Sequence, residues 1–242
     1  MKRRRTVLAI GAHPDDLEVL CGGTLALYSR QGWTVVMYHA TDGSKGGLSK
    51  APELIREERS REAVDAARVI GALSAGGGFP DGEVSMTLES RSLFVDVVRE
   101  HRPQVVLTHH PRDYHPDHMS TSKLVLEAIY MVGIPNLRTK HKALDYLPHL
   151  YYFDTMVGIH FEPELFVDIS EVIELKREMM RRHTSQLSFV QEHHGIDFLD
   201  MIEITGRYRG YQCNVRYAEG FVEARGWPRG VTERVLPGAS VR

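Results

Sequence analysis

The sequence predicts an α/β fold, a Rossmann-like and mostly parallel sheet with helices on both faces, and three observations carry the prediction. Short β-rich apolar runs alternate with helix-patterned segments through the first 130 residues. Those helical patterns stop at glycine or ahead of proline. Two stretches dense in acids and histidines follow directly on apolar runs, and an open parallel sheet carries its ligands beyond the carboxyl ends of its strands.

In order along the chain, TVLAIGA (residues 6–12) reads as the first strand. Leu17 to Gln31 has helical spacing and ends at Gly32, and TVVMYHA (34–40) is the next strand, so the three make a β-α-β unit. Glu53 to Ile70 is rich in strong helix formers and stops at Gly71; Leu88 to His101 is a helix ahead of Pro103. QVVLTHH (104–110) is a strand, HLYYFDT (149–155) and LFVDIS (165–170) are later ones, and Glu171 to His183 is a helix. Neither a linker nor an internal repeat divides the chain, so one domain over 1–242 is expected, with a loose tail after about 227.

Apolar residues make up 42% and charged residues 26% of the 242, the profile of an ordinary globular protein. A net charge of -2 argues against a nucleic-acid binder working through a broad basic surface; KRRR (2–5) is a local exception and reads as a solvated leader. The apolar run after it is too short for a secretion signal, and no segment reaches membrane-spanning length. Cys21 and Cys213 are too few for a disulfide framework. Cys21, in an apolar helical pattern with no local base, reads as a buried free thiol, and a reducing cytoplasm fits.

The chemistry lies in GAHPDDLE (11–18) and HHPRDYHPDH (109–118). If the strands follow the common order 3-2-1-4, the first and fourth are neighbours and these two loops face each other at the switch point. Asp15 and Asp16 at the start of a helix repel a phosphate and welcome a cation. DGSKGG (42–47) lacks phosphate-loop spacing and reads as a mobile loop at the mouth of the site. A catalytic zinc takes three protein ligands. His13, one of the two aspartates, and His115 or His118 would supply them, and the second aspartate would handle protons. Asp117 or Asp113 is free to orient a ring. His39, His101, His141, His149 and His160 have no comparable setting.

AHPDD, HPDH and the glycine pair in CGGTLA resemble the zinc-dependent N-deacetylases of the LmbE/PIG-L family, which remove acetyl groups from N-acetylglucosamine units. REAVDAARVIG, GFPDGEV, FEPELFVDIS, KREMMRRHTSQ and RYRGYQCNVRYAEGF look like the branch that deacetylates N-acetylglucosaminyl-malate in bacillithiol synthesis. The resemblance implies a metal site at the carboxyl ends of the first and fourth strands, with His13, Asp16 and His118 as zinc ligands and Asp15 as general base. It further implies His115 as an electrophilic group held charged by Asp117, Arg59 and Tyr114 as substrate contacts, and His183 without an assigned task. Zn2+, or Fe2+ in the same site, is the implied cofactor. A small N-acetylated amino sugar is the implied partner, with no nucleic acid and no membrane, in a homo-oligomer, often a hexamer.

Three rivals keep the same ligands. A deacetylase of another N-acetyl sugar such as a chitooligosaccharide shares every motif. A non-haem iron oxygenase uses two histidines and a carboxylate, on a β-barrel that the helix-rich first half argues against. A non-catalytic sugar-binding protein would keep the metal for structure, where four protein ligands are the rule.

Overall fold

The computed structural model describes residues 5–226 and 235–238. In chain order come β1 (Thr6–Gly11), α1 (Asp16–Arg30), β2 (Thr34–Thr41), α2 (Pro52–Val69), β3 (Leu73–Phe79), α3 (Leu88–His101), β4 (Val105–Thr108) and α4 (Pro116–Met131). Then follow β5 (His149–Phe153), a 3-10 turn (Met156–Gly158), β6 (Leu165–Asp168), α5 (Ile173–Arg181), α6 (Thr184–His194), α7 (Phe198–Cys213) and β7 (Ala218–Glu223).

The sheet order is β3-β2-β1-β4-β5-β7-β6. The first five strands are parallel, and β7 runs antiparallel to both β5 and β6. The 3-2-1-4 order is therefore met, with β1 beside β4 in the register Val7↔Val105. Side chains that alternate along a strand feed opposite cores. Val7, Ala9, Val35, Met37, Val105 and Leu107 pack with α1, α5 and α7, whereas Leu8, Ile10, Val36, Tyr38 and Val106 pack with α3 and α4. This two-faced burial is why these strands read as unbroken apolar runs.

Gly32 and Gly71 take positive φ just past α1 and α2, the left-handed conformation that ends a helix. The helix expected over Glu171 to His183 is shorter: α5 spans Ile173–Arg181, and His183 is the N-cap of α6. Of the KRRR leader, residues 2–4 lie outside the described residues, as does most of the tail after 227. Within the tail, Val235 O accepts from Tyr28 Oη at 2.8 Å and Leu236 is buried in the core. Cys21 is buried, and burial raises its thiol pKa. Among the described residues no helix is long and apolar enough to cross a membrane.

Candidate metal centre

Beyond β1 the chain turns sharply through His13 to Asp16 before α1 begins. Thr41 pins this turn, its N–H and its hydroxyl both donating to Ala12 O at 2.8 and 2.9 Å. His13 N–H donates to Asp16 Oδ2 at 2.6 Å. Asp15 pays with backbone strain: φ 139° and ψ -27° are values that L residues rarely adopt, and such strain gathers where a site over-determines a residue. Beyond β4, His115 caps α4 by accepting from Asp117 N–H at 3.3 Å, which places His118 in the first helical turn.

The two turns meet. His13 Nδ1, the Asp16 carboxylate and His118 Nε2 stand 3.3 Å apart in every pairing. Donors bound tetrahedrally at ~2.0–2.1 Å from one ion must lie about 3.3 Å from each other. The trio therefore fits a divalent cation. The opposite nitrogens are held as metal-binding histidines require: His118 Nδ1 lies 3.1 Å from Asp113 Oδ2, and His13 Nε2 lies 3.2 Å from Asp81 Oδ1 and 3.3 Å from Asp117 Oδ2.

Three overlapping groups also bring donors close: His13, His115 and His118; Asp16, His109 and His118; and His13, Asp81 and Asp117. The second loses a donor, because His109 Nε2 accepts Ala12 N–H at 2.9 Å. In the third, Asp117 is already committed to the N–H groups of Gly82 and Val84 at 2.8 and 3.2 Å. In the first, His115 Nδ1 is occupied by Asp117 N–H.

The field at the centre is set by carboxylates. Burial disfavours a charged His118, but Asp16 and Asp113 outweigh it and raise its pKa to about 9. His13 is raised against burial by Asp16, Asp117 and Asp81. A centre that grips protons this firmly attracts cations. Burial and the neighbouring His118 instead lower His109 to about 4.

Asp15 is buried beside the trio, and burial raises its pKa to about 6, with Arg59 pulling the other way. Arg59 departs from its expected role as a substrate contact. It is 3% exposed, with one guanidinium nitrogen donating to Pro14 O at 2.8 Å and lying 3.2 Å from Asp15 Oδ2, and the other donating to Gly43 O at 3.0 Å. The mobile loop expected at DGSKGG is packed down over this guanidinium. A Cβ on Gly43 or Gly46 would come within 2.6 Å of Arg59, and Gln186 Nε2 donates to Gly46 O at 2.9 Å.

The expected Asp117–His115 pairing is also corrected, since the Asp117 carboxylate faces His13 and only its backbone N–H reaches His115. Burial, His118 and His13 lower the His115 pKa, and an Nδ1 that accepts leaves Nε2 as the ring's proton donor. Tyr114 is half-exposed, its ring centroid 6.4 Å from that of His115. His183 is fully buried with Nε2 3.0 Å from Glu18 Oε1, under α1.

Asp81 and His109 were given no role by the sequence. Asp81 follows β3, whose glycines hid it as a strand. A cavity of about 700 Å³ between α2 and β3 adjoins the site at Pro14 and Asp42, but none of the donors lines it.

Residues 8–129 match the family described as PIG-L: GlcNAc-PI de-N-acetylase. The diacetylchitobiose deacetylase of Thermococcus kodakarensis is 33% identical over 228 residues, 89% of this chain and 82% of that protein. The 4-oxalmesaconate hydratase of Pseudomonas putida is 27% identical over 185 residues, 72% and 70% of the two chains. The solved structure of N,N'-diacetylchitobiose deacetylase from Pyrococcus horikoshii superimposes with a TM-score of 0.81 at 26% identity, over 92% and 85%. The fold, the two facing turns and these likenesses agree, and the chain belongs to the PIG-L: GlcNAc-PI de-N-acetylase family.

Proposed function

We propose that this protein is a metal-dependent hydrolase that removes the N-acetyl group from a small molecule containing N-acetylglucosamine. The observation that carries the reading is the His13–Asp16–His118 trio at 3.3 Å spacing with the buried carboxyl of Asp15 beside it. His13, Asp16 and His118 are the ligands, Asp15 the general base, and zinc the metal, with ferrous iron able to occupy the same donors. A divalent ion there supplies a water whose pKa is lowered to roughly 7.

Asp15 takes the proton of the attacking water, a task that suits a carboxyl poised near 6 at neutral pH, and Asp15 or His115 then delivers a proton to the amine as the C–N bond breaks. His115, neutral with its proton on Nε2, donates to the acetamide oxygen as charge builds on it. Asp117, Asp81 and Asp113 hold the two ligand rings. Arg59 acts through Asp15 rather than on the sugar, and Tyr114 stands at the open side as a substrate contact.

The aglycone has two readings. Malate follows from the branch-level motifs; a second sugar follows from the 33% identity to the Thermococcus kodakarensis enzyme. The Pseudomonas putida relative, a 4-oxalmesaconate hydratase, adds hydration of that compound as a reaction to distinguish. Acetate and free amine should be measured with N-acetylglucosaminyl-malate and with N,N'-diacetylchitobiose, each with and without chelator. Chelator-sensitive acetate release supports the hydrolase. No acetate from either, with hydration of 4-oxalmesaconate, would overturn it.

A further inference from the structure

Glu18 and His183 are fully buried and take no part in the proposed reaction, yet they meet at 3.0 Å, His183 Nε2 to Glu18 Oε1. Glu18 stands in the first turn of α1, two residues after Asp16 and three after Asp15. His183 comes from the N-cap of α6, so the contact joins the two helices beneath the His13–Asp16 turn.

The amino end of α6 is itself anchored. Glu62 of α2 accepts from Thr184 Oγ1, Ser185 N–H and Ser185 Oγ at 2.8, 2.7 and 2.6 Å, and buried Gln186 donates to Gly46 O at 2.9 Å. HTSQ (183–186) thus reaches α1, α2 and the loop over Arg59 at once. The turn above is held carbonyl by carbonyl: Thr41 takes Ala12 O, Arg59 takes Pro14 O, and Nδ1 of the buried His39 ring lies 3.2 Å from His13 O. Those grips act from β2 and α2. Glu18 holds the same turn from the helix that follows it.

Burial disfavours charge on His183, but Glu18 outweighs it and raises its pKa, so the contact is an ion pair. Apart from it, no Glu18 oxygen or His183 nitrogen has a hydrogen-bond partner among the described residues. Packing alone does not call for such a pair, since apolar side chains of similar volume fill a buried space as stably. What the pair adds is direction. An apolar contact slides, whereas this one fixes an atom of α6 against an atom of α1. Asp15, strained at φ 139°, keeps its conformation only while its surroundings impose it. We propose that His183 is a positioning residue, which through Glu18 holds the first turn of α1 so that Asp16 and Asp15 keep the places a metal ion requires. The proposal rests on the ligand assignment above and adds to it a residue outside the ligand set.

Zinc affinity, measured by competition with a chromophoric chelator, tests the assignment, with circular dichroism melts of the metal-free proteins confirming that each variant folds. His183→Gln and His183→Met are alike in length, but glutamine alone keeps an N–H for Glu18. Glu18→Met combined with His183→Met leaves no charge buried and should fold. Both methionine variants should bind zinc at least roughly tenfold more weakly, the lower end of the cost of a lost supporting contact, while His183→Gln stays within about threefold of the wild type. At saturating zinc, kcat for acetate release should fall in the methionine variants with KM unchanged. Folded methionine variants that bind zinc as the wild type does, or a glutamine variant no better than methionine, would overturn the inference. The Gln–Met comparison decides alone should the double variant not fold. A wild type that binds zinc but releases no acetate would sink the hydrolase reading, and the zinc affinities would still settle the role of His183.

Discussion

Arg59 and Asp15 meet at 3.2 Å inside the protein, and the same guanidinium nitrogen donates to Pro14 O one residue before the strained aspartate. Arg59 therefore fixes both the place and the acidity of Asp15. Burial raises that carboxyl to about 6 against the pull of Arg59. Removing the cation by Arg59→Gln should let it rise further. A general base is lost as pH falls through its pKa, so the acid limb of kcat/KM should lie near pH 6 in the wild type and move upward in the variant. Below the limb, each pH unit of movement costs about tenfold in rate. Metal content should stay at the wild-type level. An unmoved limb would separate Arg59 from the ionisation of Asp15.

Asp15 and Asp16 are adjacent yet should respond in opposite ways. Both Asp16 oxygens are engaged by the histidine pair, Oδ2 toward His13 and Oδ1 toward His118, whereas Asp15 pairs with Arg59. Asp16→Asn and His118→Ala should lose the metal. Asp15→Ala should keep it and lose roughly 100- to 10,000-fold in turnover, the range of a missing proton-transfer group. Elemental analysis beside single-substrate kinetics separates the two, and a metal-free Asp15→Ala protein would mean that the two roles are exchanged.

Asp113 and Asp117 stand outside the proposed ligand set, but each holds the far nitrogen of one histidine in it. Asp113→Asn and Asp117→Asn should each weaken metal binding by roughly 10- to 100-fold, measured by competition with a chromophoric chelator. The same titrations should depend on pH. His118 and His13 hold raised pKa values in the metal-free centre, His118 at about 9, so binding must displace protons. Affinity should rise with pH toward about 9 and fall as the medium is acidified. A pH-independent affinity would argue against both rings as ligands.

How far the sequence reaches depends on what each segment has to bury. β1, β2 and β4 sit between two layers, so Leu8 and Ala9 both had to be apolar and the strands could be read directly. β3 is an edge strand, half-exposed along its length. Its register with β2 slips between His39 and Thr41, where Gly76 lies so close to His39 O that a Cβ would stand 1.9 Å away. Sequence periodicity has no purchase on such a strand. Missing β3 also hid Asp81, because a carboxylate counts as a candidate only when the strand end that presents it is recognised. In the same way, the resemblance offered Arg59 as a substrate contact, whereas the glycines at 43 and 46 make room for its burial. The HPDD and HPDH turns were legible because acids and histidines there had no competing structural duty.

The helix that carries the HPDD turn has its own anchor. Lys176 Nζ donates to Glu219 Oε1 at 2.6 Å, with both side chains 3% exposed. Glu219 also accepts from Gly23 N–H, Thr24 N–H and Thr24 Oγ1 at 2.9, 2.8 and 2.6 Å, so mid-α1 is tied to β7 through one carboxylate. Removing one member of a buried ion pair leaves the other charge without compensation and costs ~3–5 kcal/mol. Lys176→Met should therefore lower unfolding free energy by about that much in urea denaturation. Lys176→Met with Glu219→Gln should recover part of the loss, because the amide oxygen still accepts from α1 and no charge remains buried. Such a rescue would separate the cost of a stranded carboxylate from that of lost packing. A single variant that loses less than ~1 kcal/mol, the value of a solvated surface pair, would mean that water reaches Glu219 and that the tie to α1 does not depend on Lys176.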